Sequence, residues 1–515
     1  MGTIALLIWP LIGGIFFRIL SLPAAVCATF FGGYLLLPTK FQFDMPLIPA
    51  LDKHTIPALT VLGFVWFLTR PPVGPLAKPA PPSMPGWIPR NKMILLLLGF
   101  LLFGSFGTAL TNGDPKSYGI TYLPGLRPYD GLSEVLQLVF MLIPFFIARK
   151  VLATPDAQKT LLFVLVVAAF AHSFLALYEI RMSPQLNRMV YGFFPHSWLQ
   201  HVRGGGFRPL VFLNHGLWLA IFNSVAVLAA FGLMRGESTK KKYLFLFFGV
   251  WLLMTLLMSR ALGALIITMM LLPIVLFMPR RLQVMTAASL AILILMFPVL
   301  RAAGVIPVDG IVSIAESIDT NRAGSLQFRL ENEDILLEKA NSRALFGWGG
   351  WGRNRVYDEA GRDISITDGG WIIHIGFGGW IRYLGIFGLM GWGIIALLFR
   401  KPPDRIALTL AVMMAANLVD LIPNNGVSPL TWLMTGALCG RLEKGTQTNA
   451  ADAPQESLDP SPRSSGSVYA RSFASTKART SEGPRMLRMM EERPKQGQAA
   501  LPYRRSFDQS KRRRT

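Results

Sequence analysis

Thirteen apolar runs, each long enough or nearly long enough to cross a bilayer, recur along this chain and limit what it can fold into. They lie near 4–20, 22–38, 55–69, 93–110, 131–148, 160–180, 211–234, 243–258, 261–278, 284–300, 371–399, 405–421 and 427–441. About 20 apolar residues in a helix span the hydrocarbon core. In lipid every peptide group must find its partner within the protein, so such runs are helices unless they close a barrel. Barrel strands alternate in polarity, and these runs do not. Composition agrees: 52% of the 515 residues are hydrophobic and 16% charged, where a soluble protein carries about a quarter charged residues. That excludes an ordinary soluble enzyme and a disordered chain. The expected fold is all-α, a polytopic membrane protein with about 12–13 transmembrane helices and one large outward loop. Cys27 and Cys439 stand alone in apolar runs and offer neither a disulfide framework nor a metal site.

Loop charges set the orientation. Basic clusters occur at 70–92 (Arg70, Lys78, Arg90, Lys92), at 149–159 (Arg149, Lys150, Lys159), at Lys240–Lys242, at Arg280–Arg281, and at Arg400, Lys401 and Arg405. They lie on alternate loops, so all fall on one side, and the positive-inside rule makes that side the cytoplasm. A net charge of +22 would suggest nucleic acid in a soluble protein; here inner-side loops account for it, and no nucleic-acid partner is expected. The loops 39–54, 111–130, 181–210, Ser259–Arg260, 301–370 and 422–426 face outward. The first apolar run lacks a basic leader and is followed at once by a second, so a retained helix is expected there rather than a cleaved signal peptide. The interior holds few ionisable groups: His172 mid-run, with Glu179 and Asp420 near outer helix ends. Chemistry is therefore expected at the outer membrane–water boundary. From 445 the chain turns rich in Ser, Pro, Gln and Arg, and a disordered, basic cytoplasmic tail is expected over 445–515.

The outward loops hold the candidate site residues. Arg203-Gly204-Gly205-Gly206-Phe207-Arg208 combines glycines, which let a backbone approach a ligand, with guanidiniums suited to phosphate oxygens. A flexible turn with interfacial arginines fits equally well. Arg260, in a turn with almost no loop, either snorkels to headgroups or enters a polar cavity. Residues 325–345 suit an amphipathic helix capped by Ser325, with Glu333 placed to pair with Arg329 one turn on. Trp348 and Trp351, set among glycines, form an aromatic platform for sugar faces or an interfacial anchor. Asp368 can cap the next helix. Gly376, Gly378, Gly379, Gly385 and Gly388 permit close helix packing. His374 is either a general base near neutral pH or a packing residue.

In order and membrane side, these features resemble the O-antigen ligase and polysaccharide polymerase superfamily of bacterial membrane glycosyltransferases. The resemblance spans roughly 130–440: an Arg-Gly-rich-Phe loop, a Ser-Arg turn, an Arg-led helix ending in Leu345-Phe346-Gly347-Trp348-Gly349, and a Gly-rich closing helix. It implies five segments. These are N-terminal helices (1–128), central helices (129–300) carrying the periplasmic loop 181–210, a large periplasmic loop (301–370), C-terminal helices (371–444), and the tail (445–515). It also implies inverting, metal-independent and cofactor-free transfer of glycan from undecaprenyl pyrophosphate at the outer face of the inner membrane. Implied partners are that lipid-linked glycan, a glycan or lipid A-core acceptor, the bilayer, and a chain-length regulator or other polysaccharide assembly proteins. Arg203 and Arg329 match the family's two pyrophosphate arginines, with Arg208 and Arg260 beside them. His374 stands eleven residues before Gly385, at the spacing of the family's base. Ile375 follows it where the family has Asn, which makes Asp368 the competitor.

The chemistry runs the same way. Breaking an anomeric C–O bond to pyrophosphate develops negative charge, and each preorganised donor there is worth on the order of 3 kcal/mol. A base for the acceptor hydroxyl adds roughly 100- to 10,000-fold. The rival expectation is a transporter or flippase for a lipid-linked glycan or anionic substrate, which would show broken helices and charged residues around a midplane cavity.

Overall fold

The computed structural model describes residues 1–45, 48–70, 81–318, 320–400 and 403–451. They fall within one compact unit, Met1–Ala453. Each of the thirteen apolar runs folds as a helix. These are α1 (Gly2–Ile19), α2 (Leu22–Leu36), α3 (Thr55–Leu68), α4 (Lys92–Thr111), α5 (Pro128–Val151) and α6 (Pro155–Met182), followed by the short α7 (Leu186–Tyr191). Then come α8 (Gly216–Gly236), α9 (Lys241–Met258), α10 (Leu262–Phe277) and α11 (Arg280–Ala302). The 301–370 loop holds α12 (Val308–Ile318) and α13 (Thr320–Asn341), and α14 (Gly370–Ile395), α15 (Arg405–Asp420) and α16 (Pro429–Ala451) complete the described residues. Among the described residues eight helices are long and apolar enough to cross a membrane: α1, α4, α5, α6, α8, α9, α11 and α14. Helices α2, α3 and α10 are shorter apolar helices. The protein is an all-α, multi-pass membrane protein. Its only paired strands among the described residues are three two-stranded hairpins in the loops.

The central helices meet protein on nearly every face. From Leu219 to Leu233 every residue of α8 is buried, and α15 is buried from Ala407 to Leu418. Large apolar side chains such as Phe103, Phe247, Met270 and Phe277 stay exposed on outer helices. In a membrane those are lipid contacts, and lipid is as apolar as they are.

Arg149 and Lys150, expected as loop cations, are buried at the end of α5. Arg149 pairs with Glu443 of α16 (Nη2 to Oε2, 2.6 Å) and donates to the carbonyls of Trp87 (3.1 Å) and Ile88 (3.0 Å). Glu443 in turn accepts from the backbone N–H groups of Arg90 (2.8 Å) and Asn91 (3.0 Å). Lys150 exchanges hydrogen bonds with Met84. A proline-rich strap over 84–91 is thus clasped to α5 and α16. The expected tail boundary also moves: α16 continues to Ala451, beyond 444, and 452–515 lies outside the described residues.

Helix α14 is broken inside its apolar run. Gly378 (φ −130°, ψ 18°) and Gly379 (φ 64°, ψ −163°) leave helical space. The Trp380 and Ile381 N–H groups, which a continuous helix would send to Gly376 and Phe377, reach the carbonyls of Ala344 (2.8 Å) and Leu345 (3.3 Å) instead. The freed Gly376 and Phe377 carbonyls accept from Trp348 (2.9 Å) and Gly349 (2.8 Å). The turn over 344–349 is therefore docked into the break. Gly378 and Gly379 serve this insertion rather than the helix packing expected of them. Gly385 and Gly388 do pack closely, against Leu101 and Leu97 of α4.

A side chain at 379 would stand 2.3 Å from the Leu345 carbonyl oxygen, in a backbone region that only glycine occupies readily. Gly379→Ala is expected to destabilise the protein by at least about 1–3 kcal/mol, read as a lowered unfolding midpoint in detergent. Gly263→Ala, in open space on α10, is expected to leave that midpoint within a degree or two or to raise it.

Candidate functional site

A cavity of about 530 Å³ opens where α8 begins. Its walls come from four stretches of chain: His196–Trp218, Phe328–Arg329, Ile366–Asp368 and Asn424–Asn425. Arg203, Arg208, Arg329 and Asp368 line it together.

The first wall is held from below by two buried charges. Glu179, at the end of α6, accepts from the N–H groups of Leu186 (3.0 Å), Leu210 (2.9 Å) and Val211 (2.8 Å). Lys53 donates to the Phe212 carbonyl at 3.0 Å. Between these anchors a hairpin pairs Val202 with Phe207 and Arg203 with Gly206. Gly204 (φ 52°) and Gly205 (φ 73°) make its two-residue turn, the positive-φ pair that suits tight hairpins. Arg260 packs on this hairpin: Nη1 donates to the Arg203 carbonyl at 2.7 Å and also to that of Gly204. A Cβ at 206 would lie 2.7 Å from its guanidinium carbon. The glycines thus serve the turn and Arg260. Arg260 does not line the cavity; its Nη1 is engaged by the loop that presents Arg203. Arg208 is buried with its stem across Gly216, and its Nη2 reaches the Arg260 carbonyl at 3.3 Å.

Helix α13 supplies the facing wall. It begins at Thr320, not at Ser325, so Ser325 is not its cap. Arg301 of α11 fixes it through Asp334 (2.7 Å). The expected Arg329–Glu333 pair does not form. Arg329 Nε reaches Asp368 Oδ2 at 3.0 Å, and both side chains are more than a third exposed. Such a pair is worth roughly 0–1 kcal/mol, weak enough to exchange for an incoming anion. Glu333 turns inward and accepts from the Trp371 indole N–H at 3.2 Å. Asn332 accepts from the Ile366 N–H at 2.9 Å and so fixes the segment that carries Asp368.

Asp368 does not cap α14; Gly369 holds that position. The Gly369-Gly370 pair lets the helix start against the turn after α15. Gly370 donates to the carbonyls of Leu421 (3.0 Å) and Asn424 (3.1 Å), and a Cβ at 369 would meet the Ile422 carbonyl at 2.4 Å. That contact leaves Asp368 at the cavity rim.

His374 does not line the cavity. It is buried further along α14 and accepts from Arg382 Nε at 3.3 Å, while Arg382 pairs with Glu134 of α5. Glu134 and Arg382 are ionisable groups inside apolar runs that the sequence reading passed over. Trp348 is no open platform either. Its ring lies under the cations of Arg343 (4.3 Å) and Lys339 (5.0 Å), and its N–H donates to the Lys339 carbonyl at 2.8 Å. Trp351 is 61% exposed but stands away from the cavity.

Three histidines missed in the sequence crowd the first wall. The rings of His196 and His201 lie 4.9 and 5.0 Å from that of His215. His215 caps α8: Nδ1 accepts from the Leu217 N–H at 3.0 Å, which leaves the proton on Nε2 facing Gln200 (3.3 Å). His201 faces the Ser197 carbonyl through Nδ1 (3.0 Å) and the Gly216 N–H through Nε2 (3.4 Å). Burial, then neighbouring histidines and Arg208, lowers His215 to about 3. Burial likewise holds His201 at about 4, helped by nearby arginines. Both rings are neutral at pH 7 and act as cap and strut, not as bases. The pattern His-x4-His followed by a helix start was the available signal. The Arg203–Arg329 cavity therefore holds three guanidiniums against the single carboxylate of Asp368.

No protein-family model and no curated protein matches the chain.

Burial pushes the Glu333 carboxyl up to about 7, against the Trp371 N–H and Arg301, which favour its charged form. A raised carboxyl pKa means stability that is complete below about 4.5 and is lost as pH rises through 7. The loss is about 3 kcal/mol. The unfolding midpoint is expected to fall between pH 5 and pH 8, and Glu333→Gln, which keeps an acceptor for Trp371, to flatten that slope.

Proposed function

We propose that the protein is a membrane glycosyltransferase that polymerises or ligates polysaccharide repeat units, taking them from an undecaprenyl-pyrophosphate-linked donor at the outer face of a bacterial inner membrane. One observation carries the reading: Arg203 and Arg208 from one loop and Arg329 from a distant helix line one cavity with Asp368 at the end of a helical membrane bundle. A diphosphate suits that set because guanidiniums offer it fixed, permanently charged donors. As the sugar–phosphate bond breaks, charge grows on the leaving group and the arginine donors stabilise it most at that point. Arg329 shifts from Asp368 to the diphosphate, and the released carboxylate takes the proton of the attacking acceptor hydroxyl. Asp368 is preferred over His374 as base because it lines the cavity and His374 does not. In this reading all thirteen helices that arise from the apolar runs belong to the membrane bundle, loop 301–370 is periplasmic, and the tail is cytoplasmic. The acceptor is another lipid-linked glycan or lipid A-core, and a chain-length regulator is the expected protein partner.

A transporter reading gains one point of support, the break in α14. The docked turn over 344–349 fills that break with backbone, however, and engages the Trp380 and Ile381 N–H groups and the Gly376 and Phe377 carbonyls that a substrate would otherwise meet.

Arg203→Ala and Arg329→Ala are each expected to lower polymer or ligated product at least about 100-fold while the protein still inserts and folds. Asp368→Asn should cost roughly 100- to 10,000-fold, and His374→Gln should retain most activity. Glycan gels and mass spectrometry of carrier-linked sugars from complemented deletion strains read all four. Full product from both arginine variants removes the site. Substrate movement across proteoliposomes without any transfer product favours the transporter.

A further inference from the structure

The opposite end of α8 carries a second set of converging cations. Helix α8 starts at the Arg203 cavity and ends at Gly236, 21 residues on, which at about 1.5 Å per residue is roughly 32 Å away. There two adjoining voids, of about 320 and 110 Å³, share Arg280 and Arg405 in their walls. Arg235 lines the smaller.

The carboxylates at this cleft are already engaged. Asp404 pairs with Arg441 and caps α15 through the N–H groups of Ile406 and Ala407, both at 3.1 Å. Glu237 pairs with Lys159. The three arginines have no carboxylate partner among the described residues. Arg235 donates to the carbonyls of Val275 (2.6 Å) and Met278 (3.0 Å) at the end of α10, and Arg405 to the Arg235 carbonyl at 2.7 Å. Arg280, in the first turn of α11, has no hydrogen-bond or ion-pair partner among the described residues. Lys240, Lys241 and Lys242, from the same end of the bundle, stay outside the cleft.

Orienting a membrane protein needs only that basic residues lie on one side. It does not need three guanidiniums brought into one recess, where like charges repel more strongly than in open water. A multiply charged anion removes that repulsion and fits the planar donors. Basic recesses between helix ends on the inner side of membrane proteins are suited to phosphate-bearing headgroups.

We propose that the Arg235–Arg280–Arg405 cleft binds a phosphate or diphosphate group, from an anionic phospholipid of the adjoining leaflet or from a soluble phosphate-bearing molecule. It is a binding site separate from the Arg203 cavity and independent of the function proposed there.

The test uses the full chain carrying Arg203→Ala and Arg329→Ala, so that the other cavity does not contribute. Its unfolding midpoint is measured in neutral detergent with inorganic pyrophosphate, and in nanodiscs of phosphatidylcholine with and without phosphatidylglycerol. One of the two additions is expected to raise the midpoint. Arg280→Gln, which removes no bond within the protein, is expected to weaken that effect about tenfold or more in concentration. Lys242→Gln, an equal loss of charge at the same end, is expected to leave it unchanged. A rise with pyrophosphate alone assigns the site to a soluble molecule; a rise with phosphatidylglycerol alone assigns it to the headgroup. No rise with either, or equal weakening by Lys242→Gln and Arg280→Gln, overturns the proposal.

Discussion

A helix that breaks within a membrane must find new partners for every peptide group it frees, because lipid offers none. In this protein that requirement joins the 301–370 loop to the bundle. Two helical hydrogen bonds are lost at Gly378–Gly379, and the four groups released are all taken up by residues 344–349. The turn is the direct continuation of α13, so the same insertion fixes the helix that carries Arg329. The first half of α14, which follows Asp368, is fixed at the other edge of the break. The two residues that meet at 3.0 Å across the cavity are thus both positioned through one backbone repair.

The bundle was legible because its signal is local. A run of apolar residues near bilayer length reads as a helix without reference to anything else, and all thirteen runs became helices. The break in α14 was not legible, since two glycines in an apolar run look the same whether they pack against a neighbour or leave helical space. What separates the cases is the turn at 344–349, some thirty residues earlier. Arg149 failed for a related reason: its counterpart Glu443 is 294 residues away, so from the sequence alone it reads as a loop cation.

At the site, residue types were more legible than their partners. Arg203, Arg208, Arg329 and Asp368 were singled out by chemistry, and they share a cavity. The glycines beside Arg203 suited a ligand cradle and a turn equally, and the turn geometry and Arg260 account for them. Arg329 had a sequence neighbour, Glu333, at the right spacing, and took a distant partner instead because Glu333 is drawn inward to Trp371. His374 matched a spacing and is engaged by Arg382, while the histidines near the cavity, His196, His201 and His215, offered only a His-x4-His pattern ahead of a helix start.

The clasp at the C-terminal end of α5 bears on how the chain is made. Arg149 is synthesised long before Glu443, yet the two lie in direct contact and Arg149 is fully buried. Apart from α16, that guanidinium leans on the strap carbonyls of Gly86, Trp87 and Ile88. Helix α16, made long after α5, thus brings the carboxylate that neutralises a cation buried on α5, and it seals against that helix electrostatically as well as sterically.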